Sequence, residues 1–208
     1  MNTEMRNETE TLADQRLFTY DLVILAGGAG TVSLPGQGQR ARALAMLKGR
    51  RLLEYIREAV RQSRRVASVV LVTHSAHVKA FRQAAPDLRL CVCDGSMAEC
   101  AAAAIQKLRE QPGHENITRV VTVCDDLPFL TGEALDDFIA RAEAAEADGV
   151  YAIVRKEACL RDYPALRRTF FHLKEGDFTG GNFRWFPFPC FPAVSKKCRR
   201  CSPCAKIR

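Results

Sequence analysis

A cluster of glycines follows a run of five apolar residues near the start of the chain. Residues 22–26 predict a strand buried on both faces, and Gly27, Gly28 and Gly30 turn the chain at its C-terminal end. Open α/β sheets bind their ligands at that end of their strands. Because glycine has no Cβ, these residues let backbone N–H groups approach an anion closely and adopt positive φ angles. We therefore expect a phosphate-binding turn.

The residues after this glycine turn exclude two familiar phosphate-binding loops. A dinucleotide-binding loop needs a third glycine where Ser33 stands, and it opens directly into a helix. Pro35 and the glycines that follow it prevent a helix there. A Walker loop needs Gly-Lys-Ser or Gly-Lys-Thr at a fixed spacing, and neither follows. We expect instead a long mobile loop that carries Arg40 and Arg42, and a helix that begins near Arg51.

Two adjacent acids follow a second apolar run, which predicts a strand over residues 118–124. Taken alone, Asp125 and Asp126 before Pro128 indicate a solvated turn or the start of a helix. Together with the glycine turn they indicate a metal site, because Mg²⁺ prefers oxygen ligands and is usually shared with the phosphates of a substrate. The two features predict one nucleoside triphosphate–Mg²⁺ site.

Apolar runs alternate with amphipathic segments along the rest of the chain. The patterns predict further strands at 68–73, 88–93 and 149–154, and helices at 51–65, 75–85, 96–109 and 134–145. Such alternation implies right-handed βαβ crossovers. The predicted fold class is α/β, a three-layer α/β/α sandwich with a mainly parallel, Rossmann-like sheet. Residues 168–178 predict a later antiparallel hairpin.

The formal net charge of +7 is concentrated at the C-terminal end of the chain. Residues 184–208 hold seven of the 31 basic side chains and none of the 24 acidic ones, so residues 1–183 are neutral overall. A neutral body offers no basic face, and we expect no nucleic-acid partner. No apolar stretch is long enough to span a bilayer, and residues 1–18 are polar and unlike a signal peptide. We expect a cytoplasmic protein with a loose N-terminal leader, no membrane partner and an open oligomeric state.

Several short motifs occur together, in order, between residues 19 and 183. They are Leu-Ala-Gly-Gly-Ala-Gly at 25–30, Arg-Ala-Leu at 42–44 ahead of Gly-Arg-Arg-Leu-Leu-Glu at 49–54, Gly-Ser at 95–96, Asp-Leu-Pro-Phe-Leu-Thr at 126–131, and Thr-Gly-Gly-Asn at 179–182. In combination they resemble the signature of the molybdenum-cofactor-guanylyltransferase-like (MobA-like) NTP transferases. The resemblance implies a nucleotidyltransferase domain over residues 19–183, with a fold of the nucleotide-diphospho-sugar transferase (glycosyltransferase-A) type.

The resemblance also implies how a nucleotide binds. Leu25 and Ala26 would lie against the nucleobase, and the glycine turn would wrap the triphosphate. Gly95 and Ser96 match a turn that helps to read the base or the ribose.

The resemblance further implies metal-binding and catalytic residues. Asp126 matches the metal-binding aspartate, and Asn182 matches a position that supports the metal or the acceptor. Asp125 is either a second metal ligand or hydrogen bonded to the backbone. The implied cofactor is Mg²⁺, and an acceptor phosphate or hydroxyl would attack the α-phosphorus of the triphosphate and expel pyrophosphate. Positioning and charge neutralisation dominate such transfers.

Four basic side chains near the predicted site need separate interpretations. Arg42 stands where the family has a phosphate-contacting lysine, and its planar guanidinium predicts weakened transfer that Arg42→Lys would raise. Arg40 either replaces an arginine that the family often has nearer the glycines or is a solvated loop residue. His74 and His77 have no carboxylate or cysteine partner at metal-binding spacing, so we expect histidines at the surface or at a helix start.

Residues 184–208 form a basic tail rich in cysteine and proline. Its prolines exclude a regular helix or a central strand, so we expect irregular structure. Cys198, Cys201 and Cys204 have the spacing of half a ferredoxin-like run, which allows a zinc or iron–sulfur site if Cys190 is the fourth ligand. The spacing of Cys190 does not fit, and the abrupt change in composition favours an altered C-terminus, such as a shifted reading frame produces. The acceptor pocket would then be incomplete.

The favoured function is Mg²⁺-dependent transfer of a nucleoside monophosphate from an NTP to a small phosphorylated or hydroxylated acceptor. Its partners are the nucleoside triphosphate and a small-molecule acceptor, and Arg42 and Asp126 are its catalytic residues. Two alternatives stay open: a non-catalytic nucleotide-binding or regulatory protein, and a nucleotide-sugar-dependent glycosyltransferase of the same fold. The motifs do not fix the base or the acceptor.

Overall fold

The chain alternates strands and helices along most of its length. The computed structural model describes residues 19–115, 117, 119–147 and 149–187. The described strands are β1 (Tyr20–Ala26), β2 (Thr31–Leu34), β3 (Gly38–Ala41), β4 (Met46–Leu47), β5 (Arg50–Arg51), β6 (Val66–Thr73), β7 (Arg89–Val92), β8 (Arg119–Cys124), β9 (Val150–Arg155), β10 (Phe171–Leu173) and β11 (Gly176–Pro187). The described helices are α1 (Leu52–Gln62), α2 (Val78–Ala84), α3 (Met97–Arg109), α4 (Gly132–Ala144) and α5 (Lys156–Asp162), with short 3-10 turns at Arg42–Leu44 and Ser75–His77.

A single large sheet forms the centre of the fold. Its strands lie in the order β7-β6-β1-β8-β11-β9, and β10 pairs with the first residues of β11. The pairs β6–β7, β1–β6 and β1–β8 are parallel, whereas β11 is antiparallel to β8, β9 and β10. This mainly parallel sheet between helices confirms the predicted fold class and the predicted antiparallel hairpin.

Helices cover both faces of the sheet because β1 is apolar on both sides. Leu22 and Ile24 of β1 pack with α1 and α4 in one core cluster, whereas Val23 packs with α3 in another. All three side chains are fully buried, and burying one such side chain contributes about 1.5–3 kcal/mol. The glycine turn at the carboxyl end of this strand is therefore held on a rigid support. Among the described residues, no helix is both long and apolar enough to cross a lipid bilayer.

The strand register brings the carboxyl ends of the central strands to one edge of the sheet. Leu25 of β1 lies opposite Cys124 of β8, and Ala26 lies opposite Thr73 of β6. The glycine turn and the acids at 125–126 therefore leave neighbouring strands at the same edge.

The segment between β1 and α1 is ordered, whereas the sequence predicted a long mobile loop. β2 and β3 form an antiparallel hairpin around Pro35 and Gly36. Gly36 and Gly38 have φ angles of 73° and 66°, a region that glycine enters without steric cost. The Gln37 side chain then clamps the backbone of Met46, donating to its carbonyl (2.8 Å) and accepting from its N–H (2.7 Å). Gly36 and Gly38 therefore form a tight hairpin turn, and their presence does not indicate a mobile loop.

The last described strand extends beyond the point where the sequence predicted an irregular tail. β11 runs to Pro187, and its residues from Phe183 to Pro187 pair with β8. Trp185 is 1% exposed and lies in the core. The pairing of residues 184–187 with β8 contradicts the prediction that prolines exclude a central strand there. The strand tolerates Pro187 because this residue stands at its end, where the missing N–H removes few of the hydrogen bonds between strands. The cysteines at 190, 198, 201 and 204 lie outside the described residues.

The sequence patterns did not predict helix α5.

Candidate functional site

The glycine turn lies open at the carboxyl end of β1. A Cβ placed on Gly28 or on Gly30 would have nothing within 4 Å, whereas a Cβ on Gly27 would lie 3.2 Å from the Sγ of Cys100. None of the three glycines has a positive φ, so the expectation of left-handed backbone in this turn is wrong. Gly27 serves packing against α3, and the exposed Gly28 and Gly30 leave the backbone accessible to a ligand.

Arg42 lies between the two acids that follow β8. Its Nε and Nη2 donate to Oδ1 of Asp125 at 2.9 and 2.6 Å, and its Nη1 lies 3.4 Å from Oδ2 of Asp126. The buried neighbours Ala43 and Leu44 anchor the 3-10 turn that begins at Arg42. The structure therefore brings three of the predicted residues into one charged cluster.

The two acids of this cluster differ in exposure. The Asp125 side chain is 6% exposed, whereas those of Asp126 and Arg42 are 36% and 51% exposed. Burial raises the pKa of the Asp125 carboxyl, and the hydrogen bond and charge of Arg42 offset this in part. Burial lowers the pKa of Arg42, but the hydrogen bond and charges of Asp125 and Asp126 outweigh it and raise that pKa. Asp125 thus holds the guanidinium, and Asp126 remains accessible to solvent.

Asn182 lies beside the same edge of the sheet. Its neighbour Phe183 pairs with Val123, so the antiparallel register places Asn182 next to the end of β8. Its φ of 63° is left-handed, and it falls in the irregularity between Gly180 and Arg184 where β11 leaves the β9 register.

The donor set fits a metal that is shared with a substrate. In the described part of the chain, no three His, Cys, Asp or Glu side chains are grouped so as to hold a metal ion. Mg²⁺ needs only one or two protein carboxylates when substrate phosphates and water complete its shell. Asp126 supplies one partly exposed carboxylate at the sheet edge where the open glycine turn also lies.

The second predicted nucleotide turn follows β7 at the same edge. Ser96 caps α3: its Oγ accepts from the N–H of Glu99 (3.3 Å), and its own N–H donates to the Glu99 carboxylate (2.7 Å). A Cβ on Gly95 would lie 2.7 Å from that carboxylate. The backbone N–H of Ser96 is thus engaged by Glu99, while the Gly95–Ser96 turn stays exposed.

Three other predicted residues have different surroundings. Leu25 is partly buried, and Ala26 packs in the core at 5% exposure, so Ala26 can offer a ligand only its backbone. Arg40 lies on β3 and donates from Nη2 to the carbonyl of Gln37. The structure therefore places Arg40 on the hairpin, apart from the acid pair that Arg42 contacts.

A histidine that the sequence left without a role contacts the glycine turn. Nε2 of His77 lies 3.2 Å from the carbonyl oxygen of Ala29, 48 residues away in the sequence. His74 accepts from the N–H of Ala76 at a helix start, as expected, but it also lies 3.5 Å from Asp94. Asp94 accepts from the N–H and the hydroxyl of Ser75, both at 2.7 Å. These contacts tie the loops after β1, β6 and β7 together, and no local pattern signals them.

Comparison with known proteins places the chain in a family. Residues 22–200 match the family model described as "MobA-like NTP transferase domain". The match extends past residue 183, where the resemblance based on motifs ended. No curated protein was found to match the chain.

Solved structures share the fold. A hypothetical transferase from Thermus thermophilus is 29% identical, with a TM-score of 0.59, over 82% of this chain and 66% of that one. A CMP:2-keto-3-deoxy-manno-octonic acid synthetase complexed with CTP is 12% identical, with a TM-score of 0.57, over 86% and 78% of the two chains. Rv0371c from Mycobacterium tuberculosis, in complex with manganese, is 17% identical, with a TM-score of 0.53, over 86% and 76%. This chain thus spans 66% of the length of the Thermus protein.

Proposed function

The chain belongs to the MobA-like NTP transferase domain family, and we propose that it transfers a nucleoside monophosphate from an NTP to a small phosphorylated or hydroxylated acceptor. One observation carries the proposal. An open glycine turn and the partly exposed carboxylate of Asp126 follow adjacent parallel strands at the same edge, and the guanidinium of Arg42 lies between that carboxylate and the carboxylate of Asp125.

Each part of the site has a distinct task in this reaction. The N–H groups of the turn at Gly28 and Gly30 bind the triphosphate, because no side chain separates them from it. Arg42 adds a positive charge that a phosphate can approach through Nη1, the nitrogen that does not bind Asp125. Asp126, with Asn182 next to the end of the same strand, would hold Mg²⁺, and the bound ion would neutralise charge on the phosphates.

The chemistry then needs little more than alignment. An acceptor oxygen forms a bond to the α-phosphorus while the bond to the bridging oxygen of the β-phosphate breaks, and pyrophosphate leaves. A hydroxyl acceptor gives up its proton to water in this step, whereas an ionised phosphate acceptor has none to lose. Holding the two reactants in line supplies most of the acceleration in such transfers. Manganese in the structure of Rv0371c and CTP in that of the synthetase support a metal–nucleotide site on this fold. The free cysteines among the described residues suit the reducing cytoplasm, where we propose that the protein acts.

Pyrophosphate release tests the proposal. The purified chain is incubated with each NTP, Mg²⁺ and a panel of phosphorylated and hydroxylated acceptors, and pyrophosphate is measured by a coupled assay. We expect pyrophosphate release only with an NTP of one base and in the presence of an acceptor. Asp126→Asn should lose this release. The matched control Asp137→Asn should retain it, since Asp137 is exposed on α4. Transfer from nucleotide sugars alone would identify a glycosyltransferase. Nucleotide binding without any transfer would identify a non-catalytic protein.

A further inference from the structure

The cluster of Arg42, Asp125 and Asp126 already contains its own cation. The guanidinium contacts Asp125 through two nitrogens and Asp126 through the third. The Nη1 of Arg42 lies 3.4 Å from Oδ2 of Asp126. A divalent metal bound to that oxygen would therefore lie close to the guanidinium, and the two cations would repel each other.

The two contacts of Arg42 differ in strength. At Asp125 the carboxylate is buried and accepts two charge-assisted hydrogen bonds, so losing the guanidinium would leave an uncompensated buried charge. At Asp126 the carboxylate is more exposed and the contact is longer, so this contact costs less to break. Arg42 can therefore release Asp126 while Asp125 retains it.

We propose that Arg42 is the resident counter-cation of the acid pair, that Asp125 is the positioning residue that retains it, and that a divalent metal reaches Asp126 only together with a triphosphate. The triphosphate offers Nη1 a new anionic partner, so the guanidinium need not move away from Asp125 when the metal arrives. This order of binding rests on the proposed function for the nature of the nucleotide. Retention of Arg42 by Asp125 rests on the geometry alone.

The geometry also gives a reason for arginine at position 42. A lysine ammonium is a single point of charge and cannot hold Asp125 with two nitrogens while a third reaches Asp126. Nothing among the described residues supports the expectation that Arg42 weakens transfer.

Metal binding measured without nucleotide tests the counter-cation. The probe is Mn²⁺ alone, titrated into the full chain and followed by the electron paramagnetic resonance of the free ion. We expect Arg42→Ala to bind Mn²⁺ at least tenfold more tightly than the wild type. The double variant Arg42→Ala with Asp126→Asn should lose that gain, and Arg61→Ala, which removes an exposed charge on α1, should match the wild type. Loss of the gain in the double variant assigns the tighter binding to Asp126 and not to ligands exposed by misfolding, and the emission of Trp185 checks the fold of each variant.

Two outcomes would overturn the proposal that Arg42 is the counter-cation. A second experiment with added nucleotide tests the proposed function separately. Equal Mn²⁺ affinity of the wild type and Arg42→Ala, or an equal gain in Arg61→Ala, would show that Arg42 does not exclude the metal. In the second experiment, each α,β-methylene nucleoside triphosphate is added in turn, and the Mn²⁺ that the nucleotide alone chelates is subtracted with a protein-free titration. One of the nucleotides should then raise the Mn²⁺ affinity of the wild type at least tenfold. Failure of this second experiment alone would refute the metal–nucleotide order and the proposed function, while the tighter Mn²⁺ site of Arg42→Ala would still establish the counter-cation.

Discussion

Replacing Gly28 with alanine should separate nucleotide binding from stability. A Cβ at this position meets no atom within 4 Å, and the residue has no positive φ, so the ligand-free fold accepts alanine without strain. Such a substitution stabilises a protein by about 0.4–1 kcal/mol, because alanine restricts the unfolded chain. For a domain of this size the melting temperature should rise by about 1–4 °C.

The same methyl group should weaken nucleotide binding. It would occupy the space through which a phosphate must approach the backbone N–H groups of the turn. A hydrogen bond to a charged group contributes about 1.5–3 kcal/mol, so losing one should lower affinity by about 10- to 150-fold.

Two measurements on each variant decide the matter. The emission of Trp185, the single tryptophan of the chain, follows thermal unfolding, and titration calorimetry with an NTP and Mg²⁺ gives the affinity. Gly27→Ala is the contrasting variant, since its Cβ would lie 3.2 Å from the Sγ of Cys100 and should cost stability. A stable Gly28→Ala that binds nucleotide as tightly as the wild type would refute a phosphate site on this turn.

Three further predictions concern the framework of the site. Trp185→Ala should lower the free energy of unfolding by about 3–5 kcal/mol in urea titrations followed by circular dichroism, because it empties a core position. Gly132→Ala should cost about 1–3 kcal/mol in the same assay, since its Cβ would lie 2.7 Å from the carbonyl carbon of Gln62. Burial, then the hydrogen bond and charge of Glu143, raises the pKa of Tyr20 to about 12. The folded protein therefore favours the neutral phenol. The contribution of Tyr20 to the free energy of unfolding is fully present below about pH 10 and is lost as the pH rises towards about 12, and the variant Tyr20→Phe should not show this alkaline loss.

Each of these predictions has a clear contrary result. A loss below about 1 kcal/mol for Trp185→Ala would mean that β11 does not complete the core. An unchanged melting temperature for Gly132→Ala would mean that α4 does not pack closely on the end of α1. Identical alkaline unfolding curves for the wild type and Tyr20→Phe would remove Tyr20 as the titrating group.

Local patterns in the sequence predicted the elements that carry the site. The apolar run of β1 and the glycines after it are neighbours in the sequence, and so are β8 and its acids. Parallel pairing of these two strands then follows from the alternation of strands and helices, and the structure confirms it. The hydroxyl of Thr131, directly before α4, accepts from the N–H of Ala134 at 3.1 Å and caps that helix.

Contacts between distant residues could not be predicted in this way. Arg42 and Asp125 are 83 residues apart, and their ion pair depends on how the hairpin of β2 and β3 brings the chain back to the end of β8. The hairpin itself has mostly exposed strands, so it lacks the apolar alternation by which strands are recognised. Trp185 was assigned to a tail because prolines surround it, whereas its burial depends on pairing with β8.

The most direct test asks whether the glycine turn and Asp126 hold one metal-chelated triphosphate. Titration calorimetry would measure NTP affinity with and without Mg²⁺ for the wild type, Asp126→Asn and the surface control Asp137→Asn. We predict that Mg²⁺ strengthens binding in the wild type and in Asp137→Asn, and that Asp126→Asn loses this gain while keeping its metal-free affinity. An undiminished gain from Mg²⁺ in Asp126→Asn would contradict a shared site at this edge of the sheet.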